Sequence, residues 1–188
     1  IVFLGAVLGR TRRCKLTFPG GCELGARPID LHLAALRDMG VTISEEHGWL
    51  ECTAAGGIRG GSVTLSFPSV GATENIMLAA VTASGRTEIH NAAREPEIID
   101  LAEFLVKCGA KITGAGGSTI CVEGVSRLSP AEHTVIPDRI VAGTYLCAAA
   151  MTRGELILTR CEPSHMTGFL PVLESMGCRI YPYGGGKL

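Results

Sequence analysis

The octapeptide Leu36-Arg37-Asp38-Met39-Gly40-Val41-Thr42-Ile43 decides how this chain folds, because its Leu-x-x-x-Gly-x-x-Ile pattern occurs three times. It returns as Leu105-Val106-Lys107-Cys108-Gly109-Ala110-Lys111-Ile112 and again as Leu173-Glu174-Ser175-Met176-Gly177-Cys178-Arg179-Ile180. The glycines lie 69 and then 68 residues apart, from 40 to 109 and from 109 to 177. Self-similarity at one fixed period marks a structural unit used repeatedly. Each copy reads as the end of a helix, a glycine that permits a left-handed ending, and a strand opening at the isoleucine.

Working outward, a second segment repeats at the same interval. Ala79-Ala80-Val81-Thr82-Ala83-Ser84-Gly85-Arg86-Thr87-Glu88-Ile89 parallels Ala148-Ala149-Ala150-Met151-Thr152-Arg153-Gly154-Glu155-Leu156-Ile157. This is a helix followed by a strand. The helix from about Val70 to Ala83 is apolar around most of its circumference, so burial on most sides is expected. The helix from about Ile140 to Thr152 is of the same kind. The unit is therefore β-α-β-α-β-β, an α+β (α/β) arrangement with sheets outside and buried helices inside.

Composition narrows the function classes. The chain has 188 residues, 46% of them apolar, which suffices for one or two domains with a real core. The net charge of −1 gives no case for nucleic acid as a partner, and the basic cluster Arg10, Arg12, Arg13 and Lys15 suits a solvated turn. No apolar run approaches a membrane span. Eight cysteines occur without a Cys-x-x-Cys, and no Cys/His group has zinc-ligand spacing, so neither a metal nor another cofactor is expected. A chain this long and apolar does not need disulfides, which points to reduced thiols in a cytoplasmic setting. Ile1–Leu8 is apolar but lacks the basic flank of a signal peptide.

One cysteine stands apart. Pro19-Gly20-Gly21-Cys22 puts it on a glycine-rich loop, five residues before Arg27 and the helix start at Pro28. Ile29, Leu33 and Leu36 follow at amphipathic helix spacing. A thiol beside a guanidinium at a helix start is placed to form a thiolate or to meet an anion. Pro19–Cys22 with Gly25-Ala26-Arg27-Pro28-Ile29-Asp30-Leu31-His32 resembles the cysteine loop of the UDP-N-acetylglucosamine enolpyruvyl transferases. Ser69-Val70-Gly71-Ala72-Thr73, Asn91-Ala92-Ala93-Arg94-Glu95-Pro96-Glu97 and Pro137-Asp138-Arg139 match the same family in its own order, across nearly the whole chain.

The resemblance implies an inside-out α/β barrel fold in which six such units build two domains. Residues 1–136 would belong to the first and 137–188 would open the second. It also implies the reaction. The enolpyruvyl group of phosphoenolpyruvate passes to the 3-hydroxyl of UDP-N-acetylglucosamine, releasing phosphate through a tetrahedral intermediate. Cys22 would act as the acid near phosphoenolpyruvate, would form a covalent adduct with it, and would be the target of fosfomycin. Arg27 would lie by the nucleotide, where its flat guanidinium stacks and pairs with oxyanions. Pro28, Ile29, Asp30 and Leu31 would line the uridine pocket, and Phe67, Pro68, Ser69 and Val70 would face the diphosphate. Some relatives carry a basic residue where Phe67 stands, so any side-chain charge contribution is lost there.

Several of these residues have an ordinary structural role as well. Asp30 suits a uracil acceptor and a first-turn carboxylate equally. Ser69 is the hydroxyl N-cap that a helix here requires. Glu95 and Glu97 around Pro96 favour helix capping over catalysis, Asp138-Arg139 fits capping too, and His32 reads as a hydrogen-bonded structural residue. The repeat phase makes the chain an internal fragment cut within units at both ends. Further residues of the family's site are then expected upstream of Ile1 and beyond Leu188, and turnover by these residues alone is not expected. Two rivals remain: the sister transferase acting on shikimate 3-phosphate, and a non-catalytic repeat scaffold.

Overall fold

In the computed structural model, residues 1–17 and 29–188 are described. Cys22, Arg27 and Pro28 lie outside them. The described chain divides into two compact units, Ile1–His133 and Thr134–Leu188.

The first unit contains α1 (Phe3–Thr11), β1 (Arg13–Thr17), α2 (Asp30–Asp38), β2 (Thr42–Glu46), β3 (Trp49–Thr53), β4 (Ser62–Thr64), α3 (Val70–Ala80), β5 (Arg86–His90), α4 (Pro96–Lys107), β6 (Lys111–Thr113) and β7 (Thr119–Glu123). The run β4-α3-β5-α4-β6-β7 is the β-α-β-α-β-β unit read from the sequence. α1-β1-α2-β2-β3 repeats its later part. Strand pairing repeats with it: one sheet runs β1-β3-β2 and the other β4-β5-β7-β6, so β1, β3 and β2 take the places of β5, β7 and β6. Among the described strands, β4 and β5 alone pair in parallel, as a connection through α3 demands.

The repeated glycines act as expected. Gly40, Gly109 and Gly177 have φ of 86°, 100° and 96°. Behind each, two backbone bonds close the helix end. Val41, Ala110 and Cys178 donate to Leu36, Leu105 and Leu173, while each glycine donates to the residue after that acceptor. This is the Schellman ending, and only glycine takes its left-handed position without crowding a Cβ. Gly109→Ala is therefore expected to cost about 1 kcal/mol, read from urea unfolding.

α3 is the axis of the first unit. It packs against α1, α2 and α4 and against β5 and β7, and Ala72, Thr73, Asn75, Ile76, Met77, Ala79 and Ala80 are all buried. The sheets close over the helices with one face. β3, β5 and β7 alternate between buried and more exposed residues as strands with one solvated face do. α1 approaches α3 through Gly5 and Gly9, where a Cβ would strike Asn75 and Thr82.

The end of this unit is tied to α4. His133 Nε2 meets Asp100 Oδ1 at 2.8 Å, Lys107 Nζ lies 3.1 Å from His133 Nδ1, and the Phe104 ring tilts against the imidazole.

In the second unit the helices form: α5 (Arg139–Thr152), a short 3-10 turn (Pro163–Met166) and α6 (Leu170–Ser175). Its strands do not. The stretch Ile180–Leu188 holds a turn and isolated bridges, with Leu158 and Leu188 exchanging backbone bonds of 2.8 and 3.1 Å. Nor is α5 buried like α3. Met151 is 84% exposed, and no α5 residue is buried. A helix closes its hydrogen bonds internally, whereas a strand needs a neighbour and an apolar helix needs layers on several sides. The second unit supplies too few of either.

Candidate functional site

Two helix starts converge in the first unit. α2 begins at Asp30, with Ile29 in the capping position and Asp30 exposed. α3 begins at Val70, capped by Ser69, whose Oγ accepts from Ala72 N at 3.3 Å. They meet where His32, in the first turn of α2, lies beside Gly71, in the first turn of α3. A Cβ on Gly71 would sit 3.3 Å from the imidazole Cε1. So the first turn of α2, just after Ile29, lies against the first turn of α3, just after Ser69, from a position about 40 residues away along the chain.

Each residue offers something different there. Ile29 is 5% exposed and part of the core. Leu31 is half-buried against the same core. Phe67 is 65% exposed and free to cover a ligand. Among the described residues, the N–H groups of Val70 and Gly71 have no acceptor, which is the usual state of a first helical turn and a ready anion site.

A layer of polar side chains holds this corner rigid. Thr73 Oγ1 donates to the Ser69 carbonyl at 2.8 Å and accepts from Ala93 N at 3.1 Å, tying α3 to the Asn91–Glu97 segment. Asn91 donates to the Leu65 carbonyl at 2.9 Å. Asn75, fully buried, accepts from Gly5 N and sits 3.1 Å from His32 Nδ1. Burial lowers the His32 pKa, and Asp30 opposes the drop. Asn75 goes unremarked in a sequence reading, and Thr73 enters it only as the end of a motif. Their signal is an amide and a hydroxyl in a helix whose one other polar side chain is Glu74, since buried polar groups are hydrogen-bonded.

The acidic positions divide. Asp138 caps α5, accepting from Ile140 N at 2.8 Å and Val141 N at 3.0 Å. Glu95 occupies the N-cap of α4, but its carboxylate accepts from Arg94 N instead of bonding the helix. Glu97 lies in the first turn of α4, on the favourable side of the dipole. Glu74 of α3 has its pKa raised by burial and by Glu97. A carboxyl whose folded pKa is raised destabilises the fold once ionised. That penalty is absent below its ordinary 4.5 and complete above the folded pKa. Glu74→Gln is therefore expected to raise Tm at neutral pH and to leave it unchanged well below pH 4.5, read by melting at both pH values.

Elsewhere, a groove of about 370 Å³ between α4 and β6 is lined by Ile99, Ala102, Val106, Ile112 and Ala115, none of them a candidate residue. Among the described residues there is no cluster of histidine, cysteine or carboxylate side chains able to hold a metal ion.

The family model of EPSP synthase (3-phosphoshikimate 1-carboxyvinyltransferase) matches residues 1–184. The chain belongs to this family. Within it, the chain is 53% identical over 180 residues to UDP-N-acetylglucosamine 1-carboxyvinyltransferase 2 of Caldanaerobacter subterraneus subsp. tengcongensis, covering 96% of this chain and 43% of that protein. It is 49% identical over 184 residues to UDP-N-acetylglucosamine 1-carboxyvinyltransferase 1 of Symbiobacterium thermophilum, covering 98% of this chain and 42% of that one. The chain thus spans less than half the length of the curated relatives it matches. The solved enolpyruvyl transferase NikO from Streptomyces tendae has the same fold, with a TM-score of 0.81 at 24% identity over 98% of this chain and 44% of that one. Among the described residues no helix is long and apolar enough to cross a membrane.

Proposed function

We propose that a protein of the relatives' full length carrying this chain transfers the enolpyruvyl group of phosphoenolpyruvate to the 3-hydroxyl of UDP-N-acetylglucosamine, with release of phosphate. The observation that carries this reading is the identity of about half the residues, over nearly the whole chain, with proteins named for that reaction. The packing of the start of α2 on the start of α3 supports it, because the segments at those two starts are those the resemblance assigns to a uridine diphosphate. The reaction begins peptidoglycan precursor synthesis, which places the protein in the cytoplasm and makes it a contributor to wall growth, cell shape and division.

On this reading the roles follow from chemistry. Cys22 donates the proton to the methylene carbon and is alkylated by fosfomycin. Arg27 and Pro28 hold the nucleotide with Ile29, Asp30 and Leu31. The exposed Phe67, with Pro68, Ser69 and Val70, adds a face for the sugar nucleotide and free backbone N–H groups for its phosphates. Residues 1–136 serve as part of the first domain and 137–188 as the opening of the second.

Burial makes three of the other thiols harder to ionise. It raises the pKa of Cys14 and Cys161, and raises Cys52 to about 11. Limiting iodoacetamide should therefore label Cys22 first, read by peptide mapping, with preferential labelling of any other cysteine counting against its role. Arg27→Lys should weaken UDP-N-acetylglucosamine binding about tenfold in calorimetry despite the kept charge. Equal affinity would remove Arg27 from the site.

The family model's own name favours a second reading, shikimate 3-phosphate as acceptor. Phosphate release from phosphoenolpyruvate, measured with each acceptor in turn, separates the two. Turnover with shikimate 3-phosphate alone would overturn the first.

A further inference from the structure

We propose that Cys14 and Cys52 are a redox-sensitive dithiol, a second thiol site apart from Cys22, and that a small-molecule disulfide such as oxidised glutathione joins them into a bond across β1 and β3.

The two cysteines stand directly opposite each other in the antiparallel β1–β3 ladder. Residues paired in this way project to the same face of a sheet. Here it is the inner face. Cys14 and Leu16 are the more buried residues of β1, as Leu50 and Cys52 are of β3, and both thiols pack on the core of the first unit. Burial pushes the Cys52 thiol up to about 11, and the neighbouring Cys14 thiol adds to the rise. On the other side of β3 the residue opposite Cys52 is Ile43. Across the described strands, then, Cys14 is the one cysteine that faces Cys52.

The repeat shows that the fold does not call for sulfur at this place. In the later copy, β5 and β7, the same two strand positions hold Thr87 and Val122, again directly opposite and both 0% exposed. Thr87 Oγ1 is left there without a hydrogen-bond partner. A hydroxyl and an isopropyl group therefore fill the space well enough, and two thiols add a chemistry that neither provides.

Exposure sets the order of events. Cys14 is partly exposed at the edge of the described sheet, whereas Cys52 is 0% exposed. The Cys14 thiolate attacks one sulfur of the small disulfide, breaks its S–S bond and releases one thiol, which carries off the proton Cys14 lost. The Cys52 thiolate then attacks Cys14 Sγ and expels the second thiol with the proton from Cys52. The two protein thiols together give up two electrons, and one small disulfide becomes two thiols. Opposite Cβ atoms in such a ladder lie about 4.5–5.5 Å apart, whereas a disulfide holds them at about 3.8 Å. The strands must draw in by about 1 Å, so the bond is strained and readily reduced, as switchable disulfides are and structural ones are not.

The test incubates the 188-residue chain in mixtures of oxidised and reduced glutathione and maps its unreduced peptides by mass spectrometry. It uses no substrate, so its outcome is independent of the proposed reaction. A Cys14–Cys52 linked peptide should be the predominant intramolecular cross-link and should disappear when reduced glutathione is in excess. Absence of that peptide under the most oxidising mixture, Cys14 linked to a different cysteine, or a bond that excess reduced glutathione leaves intact would overturn the proposal.

Two variants borrow the residues of the later copy and so keep the packing. Cys52→Val removes the resolving thiol and should trap Cys14 as its glutathione adduct. Cys14→Thr should leave Cys52 unmodified, because solvent does not reach it. Glutathione on Cys52 in the Cys14→Thr chain, or none on Cys14 in the Cys52→Val chain, would reduce the pair to a packing feature.

Discussion

Gly5→Ala will destabilise the first unit by about 3 kcal/mol, the upper end of what an overpacked core costs. The added Cβ overlaps the Asn75 carbonyl oxygen and lies 2.6 Å from Asn75 Oδ1 and 3.1 Å from Ala79 N. Two of those atoms are backbone in the middle of α3, which is packed on every side and cannot retreat. Nor can α1 move outward without breaking the Gly5 bond to Asn75 and opening the Leu4 and Leu8 contacts. A shift on the order of 10 °C in Tm is the readout. Gly61→Ala, where a Cβ meets nothing, is the control and should leave Tm nearly unchanged. A Gly5→Ala protein as stable as that control would mean the helices are not in this contact.

Cys22→Ala will lower turnover of a full-length protein by about 10² to 10⁴, the usual contribution of a positioned general acid. Binding of UDP-N-acetylglucosamine should change little, because the segments assigned to the nucleotide are Arg27–Leu31 and Phe67–Val70. The loss therefore falls in kcat, with the sugar nucleotide's KM nearly kept. Cys22→Asp, which replaces one acid with another, should recover part of the rate and abolish inactivation by fosfomycin, since no thiol remains to alkylate. Undiminished kcat in Cys22→Ala would make the cysteine a bystander and leave the rest of the reading intact.

These two residues stand at opposite ends of what a sequence reveals. Cys22 is conspicuous in the sequence, in a glycine-rich stretch before an arginine. Gly5 is one of 25 glycines and shows nothing until α1 is seen lying against α3.

The sequence by itself determined the unit and its order. A helix writes its buried face at 3.6-residue spacing, and its left-handed ending calls for glycine, so Gly40, Gly109 and Gly177 could be placed in advance and took the conformation expected of them. It also marked Ser69 as an N-cap and drew out Cys22 and Arg27 through a family resemblance. What tertiary structure alone decided was which of these elements meet. Strand order, the neighbouring starts of α2 and α3, and the roles of Asn75 and His32 depend on contacts between residues far apart in the chain, which no local pattern encodes. α5 shows the limit from the other side. Its sequence has the apolar character of α3, yet it stays uncovered, because burial is a property of the neighbours a helix finds and not of the helix alone.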